Sequence, residues 1–111
     1  MDKNTKLSDN KCKPCSGKTP RLSDNEIIDS LSKVNNWKTN DKNEMIYKKY
    51  IFKNFKESIN FTNKVGILSD EEGHHPDISL GWGYCLIMIH THAIKGLSLN
   101  DFILASKIDQ I

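Results

Sequence analysis

A chain of 111 residues with 16 Lys and Arg against 14 Asp and Glu carries a formal charge of +2, and a chain of that length encloses one hydrophobic core, so one domain is expected. Such a balance leaves no positive surplus to hold a phosphate backbone, which argues against nucleic-acid binding. No segment approaches the roughly 18 apolar residues of a membrane span, and the polar start, Met1 to Asn10, has no apolar stretch behind it as a signal peptide would. The three cysteines, Cys12, Cys15 and Cys85, make no disulfide framework, and a soluble protein of a reducing cytoplasm is the expected setting.

Residues 1–20 are rich in Lys, Asn and Ser, with Pro14, Gly17 and Pro20 as breakers. This composition buries too little apolar surface to offset chain entropy, and an extended N-terminal arm is expected before a domain over 21–111. Leu22-Ser23-Asp24-Asn25-Glu26 is a capping box, with Ser23 as N-cap, Glu26 at N3 and Leu22 as a staple. It predicts a helix carrying Ile27, Ile28, Leu31 and Val34 and ending at Asn35 or Asn36. Trp37-Lys38-Thr39 reads as a short strand, Asn40 to Asn43 as a turn, and Met45 to Phe52 as a second strand of β-branched and aromatic type. Lys48 and Lys49 interrupt its alternation on both faces.

From Asn54 to Glu72 the period becomes helical. Phe55, Ile59, Phe61, Val65 and Leu68 cover about half the circumference, wider than the roughly 100° stripe that packing on one sheet requires. The excess predicts either a second copy of the helix against it or a deep seat in its own core. Gly73 supplies the left-handed residue that ends a helix, and Pro76 blocks continuation. Ile78, Leu80 and Trp82 then alternate with Ser79 and Gly81 as a half-buried strand does, with Gly83-Tyr84 as a type II′ hairpin turn. The return strand, Cys85 to His92, places Cys85, Ile87, Ile89 and Thr91 on one face and Leu86, Met88, His90 and His92 on the other. A second capping box, Ser98-Leu99-Asn100-Asp101, opens a last helix with Phe102, Ile103, Leu104 and Ile108. The order α-β-β-α-β-β-α predicts an α+β fold, a four-stranded antiparallel sheet with helices packed on one face.

All four histidines, His74, His75, His90 and His92, fall within 19 positions. A hairpin sets the end of its second strand beside the start of its first, so the His74-His75 loop and His92 are expected to meet in space. Imidazoles titrate near neutrality and can supply both an acid and a base at one pocket. Asp101 is fully explained as the N3 residue of its capping box, although it is also near enough to orient an imidazole. His90-x-His92 with His74 or His75 opposite has ligands suited to zinc, but no Cys or carboxylate at standard spacing completes the set, Asp77 being the nearest, and no metal is expected. Cys12-x-x-Cys15 has no second ligand pair and no βαβ context, so it reads as inert or weakly redox-sensitive. Cys85 reads as core, Trp37 and Trp82 as core or hairpin aromatics, and the scattered lysines as solvated surface.

Glu72-Gly73-His74-His75-Pro76-Asp77, Thr91-His92, Gly96-Leu97-Ser98, Asp101-Phe102 and Leu104-Ala105 together resemble the pterin-4a-carbinolamine dehydratases, over about Leu22 to Ile108. Gly73, Ile78 and Asn100 depart from the animal pattern, which has Asp, Trp and Arg there, and the chain is closer to bacterial members. The resemblance implies a hydro-lyase that converts a 4a-hydroxytetrahydropterin to the quinonoid dihydropterin, the intermediate left by aromatic amino acid hydroxylases. It implies His74 and His92 as acid and base, His75 as a pterin contact, Asp101 as support for the imidazoles, a homodimer or homotetramer, and no metal, nucleotide or redox cofactor. The alternatives are a protein-interaction module acting on an oligomeric partner, as in animal relatives, and a His-ligated metal protein.

Overall fold

The computed structural model describes residues 7–13 and 17–111. Helix α1 (Asp24–Leu31) opens with the expected capping box: Ser23 Oγ accepts from the Glu26 amide at 3.2 Å and Glu26 Oε1 accepts from the Ser23 amide at 2.9 Å. The helix stops short of Asn35. The Ser32 amide is shared between the Ile28 and Asp29 carbonyls, the Asn35 amide donates outward to Asp109, and Asn36 turns the chain through left-handed backbone at φ 61°. Val34, expected on the helix, is buried from this turn instead.

Strands β1 (Lys38–Thr39), β2 (Ile46–Ile51), β3 (Asp77–Gly81) and β4 (Tyr84–Ile89) form one antiparallel sheet in the order β1-β2-β4-β3. Helices α2 (Phe55–Glu72) and α3 (Leu99–Ile108) complete the predicted element order. The sheet is two-sided as the alternation requires: Cys85, Ile87 and Ile89 of β4 are wholly buried on the helix side, while Leu86 and Met88 are half-buried on the open side. Ile46 lies opposite Ile89 in register, and with Val65 of α2 and Phe102, Leu104 and Ile108 of α3 it fills the core. Each such side chain contributes roughly 1.5–3 kcal/mol by leaving water.

The register explains the lysine pair that interrupts β2. Lys48 pairs with Ile87 and therefore faces the helices, where its Nζ lies 2.7 Å from Asp109 Oδ1, the two side chains 15% and 8% exposed. Lys107 is likewise inward, 2.8 Å from Glu72 Oε2. These two lysines are thus largely covered ion-pair partners, against the expectation of solvated surface. Asp109, just past α3, also accepts from Trp37 Nε1, from Tyr50 Oη and from the Asn35 amide, tying the end of α3 to β2 and to the segment between α1 and β1. Burial first, and then the bond to Asp109, push the Tyr50 hydroxyl well above its usual range. Asp109→Ala is expected to destabilise the fold by about 1–3 kcal/mol, because it removes the acceptor shared by Lys48, Tyr50 and Trp37 in a largely covered site. Denaturant melts should show that loss and its partial recovery in Lys48→Met/Asp109→Ala; a melt unchanged by Asp109→Ala would refute it.

Two further expectations change in detail. The β3–β4 turn is Trp82-Gly83, since Gly81 pairs with Tyr84. Positive φ falls on the second turn residue, Gly83 at 81°, so the geometry is that of a type II turn and not type II′. The Gly83 carbonyl accepts from the Phe52 amide at 2.8 Å, which ties the turn to the end of β2. Along α2, Phe61, Val65 and Leu68 serve the core, whereas Phe55, Ile59 and Ile67 remain 46%, 37% and 62% exposed. The broad apolar arc is therefore half spent within the chain and half presented to solvent.

The N-terminal stretch read as an arm carries a 3-10 turn at Leu7–Asp9, with Leu7 and Cys12 buried against the domain. Cys15, the other half of the CxxC pair, lies outside the described residues. Lys13 is clasped by Asn100, whose Oδ1 accepts from its amide and whose Nδ2 donates to its carbonyl, both at 2.9 Å. The Cys12 amide donates to Glu72 Oε1 at 2.9 Å and its thiol to the Asn100 carbonyl at 3.5 Å. Burial, and next the Glu72 carboxylate, push that thiol up to about 12, so it stays protonated and unreactive. Burial acts against the charge on Glu72, but the Lys107 and Cys12 bonds outweigh it and hold its carboxyl below the ordinary 4.5. Among the described residues, no helix is long and apolar enough to cross a membrane.

Candidate active site

The loop after α2 aims its first histidine inward. Gly73 takes left-handed backbone at φ 63°, its amide bonds to the Asp70 carbonyl, and the His74 amide bonds to Ser69. This is a Schellman ending, which sets the direction of the next residue. His74 is 5% exposed, and its Nε2 lies 2.6 Å from Asp101 Oδ1. His75, next in an extended segment, faces out and pairs with Asp70 at 2.9 Å, the side chains 64% and 81% exposed. A pair that open to water contributes little.

Asp101 is wholly buried, and each of its oxygens is engaged. Oδ2 accepts from the Ser98 amide at 2.8 Å, closing the capping box of α3, and from Thr91 Oγ1 at 2.8 Å. Since Thr91 spends its proton on Asp101, its oxygen accepts from Ser98 Oγ at 2.7 Å. The cap role and the imidazole role read as alternatives in sequence are thus carried together, one by each carboxylate oxygen. A carboxylate that accepts throughout requires His74 Nε2 to carry the ring proton.

Thr91 leads directly to His92. Strand β4 ends at Ile89, Thr91 bridges to Gly96, and His92–Ile94 forms a 3-10 turn rather than continuing the strand. His92 is consequently exposed, with its ring 4.0 Å from that of His90 and tilted by 55°. His90 Nε2 stands 3.4 Å from Asp77 Oδ2. The two rings line an open recess of about 440 Å³ with Glu44, Met45 and Lys95.

Four predicted residues therefore occupy different environments. His74 and Asp101 are in direct contact, Thr91 connects Asp101 to the backbone of His92, and His75 lies outward beside α2. His90, weighed from the sequence only as a zinc ligand, stands against His92. The β-strand period that puts residues 90 and 92 on one face was the signal available for it. Thr91 and Ser98 were legible only as core and cap. Among the described residues, no three His, Cys, Asp or Glu side chains converge to hold a metal ion.

The family model for pterin 4 alpha carbinolamine dehydratase matches residues 20–111. A Rickettsia bellii protein provisionally named pterin-4-alpha-carbinolamine dehydratase is 48% identical over 104 residues, covering 93% of this chain and 91% of that one. A Methylococcus capsulatus protein of the same provisional name is 43% identical over 105 residues, 95% of this chain and 92% of that one. Among solved structures, a transcriptional coactivator/pterin dehydratase from Brucella melitensis superposes with a TM-score of 0.78 at 23% identity, over 82% of this chain and 97% of that one. A pterin dehydratase-like protein described as a RuBisCO assembly factor in the alpha-carboxysome superposes at 0.59, also at 23% identity, over 68% and 88%. These two likenesses concern the fold.

Proposed function

The chain belongs to the pterin 4 alpha carbinolamine dehydratase family, and from that premise we propose that it dehydrates a 4a-hydroxytetrahydropterin to the quinonoid dihydropterin. The reaction breaks the C4a–O bond and removes the proton on N5, releasing water. One imidazole protonates the departing oxygen while another accepts the N5 proton, so neither charge develops alone. His74 and His92 take these two roles, His75 contacts the pterin, and Asp101 holds His74 in one tautomer. The chemistry needs no metal or redox group. The observation that carries the reading is the buried His74–Asp101 contact, 2.6 Å long, joined through Thr91 to His92 in a chain of this family.

The physiological setting we infer is cytoplasmic recycling of the pterin used by an aromatic amino acid hydroxylase. The exposed Phe55, Ile59 and Ile67 of α2 support a homodimer or homotetramer, since a second copy would cover them. The relative described as a RuBisCO assembly factor favours one other reading, a role in assembling a partner oligomer. Chelator-treated protein tests the choice. We expect it to accelerate loss of a freshly generated carbinolamine at least about a hundredfold over buffer, the low end of a positioned proton transfer. A rate equal to buffer overturns the dehydratase and favours the assembly role, while a rate restored only by added zinc favours a metal protein.

A further inference from the structure

The N-terminal stretch follows α3 from its far end to its start. Just past α3, Gln110 Nε2 donates to Ser8 Oγ at 2.7 Å. Leu7 is buried in the core cluster that holds Ile103, Leu104 and Ile108. In the first turn of α3, Asn100 clasps both backbone groups of Lys13 at 2.9 Å and accepts the Cys12 thiol on its carbonyl. Asn100 is buried and directly precedes Asp101. The Cys12 amide reaches the other helix end, donating to Glu72 Oε1 at 2.9 Å, while Lys107 Nζ holds Oε2 at 2.8 Å. Glu72 closes α2, two positions before His74. Two adjacent residues of the arm thus bond to the chain neighbours of both members of the buried His74–Asp101 pair.

We propose that the Cys12–Lys13 segment is a positioning element of the site: docked on Asn100 and Glu72, it braces Asp101 and His74 in register, and turnover falls when it lifts. The inference rests on the dehydratase reading above and adds what holds the reacting geometry. His74 follows the end of α2 and Asp101 lies in the first turn of α3, so their contact depends on how two separate helix ends are held together. A brace across those ends acts on rate more than on affinity, because a displacement of about 1 Å at a reacting group costs about 10²-fold. Asn100 is suited to the clasp. Its carboxamide offers one acceptor and one donor side by side, matching the N–H and C=O of one residue, whereas a carboxylate could serve only the first. The segment is also able to open by itself. Asp9, Asn10, Lys11 and Lys13 are exposed, and a stretch held by a few hydrogen bonds and by the buried Leu7 and Cys12 detaches without unfolding the domain. Cys12 reports its state: docked, the thiol is buried, and released, it meets water and reacts.

The full chain carrying Asn100→Leu, Leu7→Asp or both tests this. Asn100→Leu removes the two bonds to Lys13 with a side chain of similar size, and Leu7→Asp alters the arm alone. Alkylation of Cys12, read by mass spectrometry of its peptide, measures release. Each lost hydrogen bond shifts opening by roughly 2–10-fold, and a Leu7 site that no longer stays buried shifts it by roughly 10–100-fold. The double variant should therefore label Cys12 at least about a hundredfold faster than the wild type. Its kcat should fall by about 10–100-fold, the scale of a displacement of up to about 1 Å, with KM within about twofold. If Asn100→Leu unfolds the chain, Leu7→Asp decides by the same two readings. Fast labelling with wild-type kcat overturns the brace, as does labelling that stays slow, and so does a raised KM at unchanged kcat, which would make the arm a substrate contact. A wild type without turnover overturns the dehydratase reading alone. The brace is then read from the nitrogen-15 signals of the His74 ring, which should shift on release and, if unchanged, overturn it too.

Discussion

Asp101→Asn is expected to leave a folded protein that has lost about 10²–10³-fold in turnover, the scale of one misplaced proton-transfer group. The substitution keeps the volume, so the wholly buried site neither opens a cavity nor overpacks. The asparagine carbonyl can take over from Oδ2, accepting from the Ser98 amide and Thr91 Oγ1, which are 2.8 Å away. Its amide nitrogen then faces His74 Nε2, 2.6 Å from Oδ1 in the native protein. Two donors cannot share that contact, so the ring proton moves to Nδ1, and the imidazole presents an N–H there where the native ring presents a lone pair. A stability loss of about 1–3 kcal/mol should accompany this, since the bond changes from charged to neutral. Asp101→Ala lacks the replacement acceptor and should lose more stability, through the helix cap and the Thr91 hydroxyl together. Nitrogen-15 spectra of the His74 ring separate chemistry from folding: a switch of tautomer with a modest change in melting is the expected pattern. Full activity with the Nε2–H tautomer retained would refute the positioning role.

His92→Ala and His74→Ala should each slow dehydration by at least about tenfold, and by as much as the roughly 10²–10⁴-fold that a positioned acid or base provides, but they should differ in stability. His92 is exposed in the 3-10 turn after Thr91, and truncating an exposed side chain changes stability by about 0.5 kcal/mol or less. Its variant should melt like the wild type and regain rate in added imidazole, which the open recess beside His90 can admit. His74 is 5% exposed and bonded to Asp101. Its loss leaves a buried carboxylate oxygen without a donor, a cost of about 1–3 kcal/mol in addition to the cavity. Rates within twofold of wild type in both variants would remove both residues from the proton-transfer roles.

Much of this arrangement was legible before any coordinates. Ser23 with Glu26 and Ser98 with Asp101 mark helix starts because a short acceptor followed three residues later by a carboxylate satisfies two amides locally. Gly73 marks the end of α2 for an equally local reason. The alternation of Cys85, Ile87 and Ile89 against Leu86 and Met88 assigns the sheet's two faces. The ambiguous places were those where a distant partner decides. Lys48 and Lys49 look alike in the sequence, and only the pairing of Lys48 with Ile87, with Asp109 waiting behind it, makes one inward and the other solvated. Asn100, a departure from the animal pattern, has no evident purpose until Lys13 lies along it.

The linear order of residues was enough to determine the elements, their succession and the resemblance to a family, because caps, turns and hydrophobic periods act over a few positions. Tertiary structure alone decided that His74 turns in to Asp101 while His75 turns out to Asp70, that His90 stands against His92, and that Glu44 and Lys95 share a recess. Those outcomes depend on contacts between segments up to 51 residues apart in number, Glu44 to Lys95. Strand register and helix packing set such contacts, and both are settled only when the whole core closes.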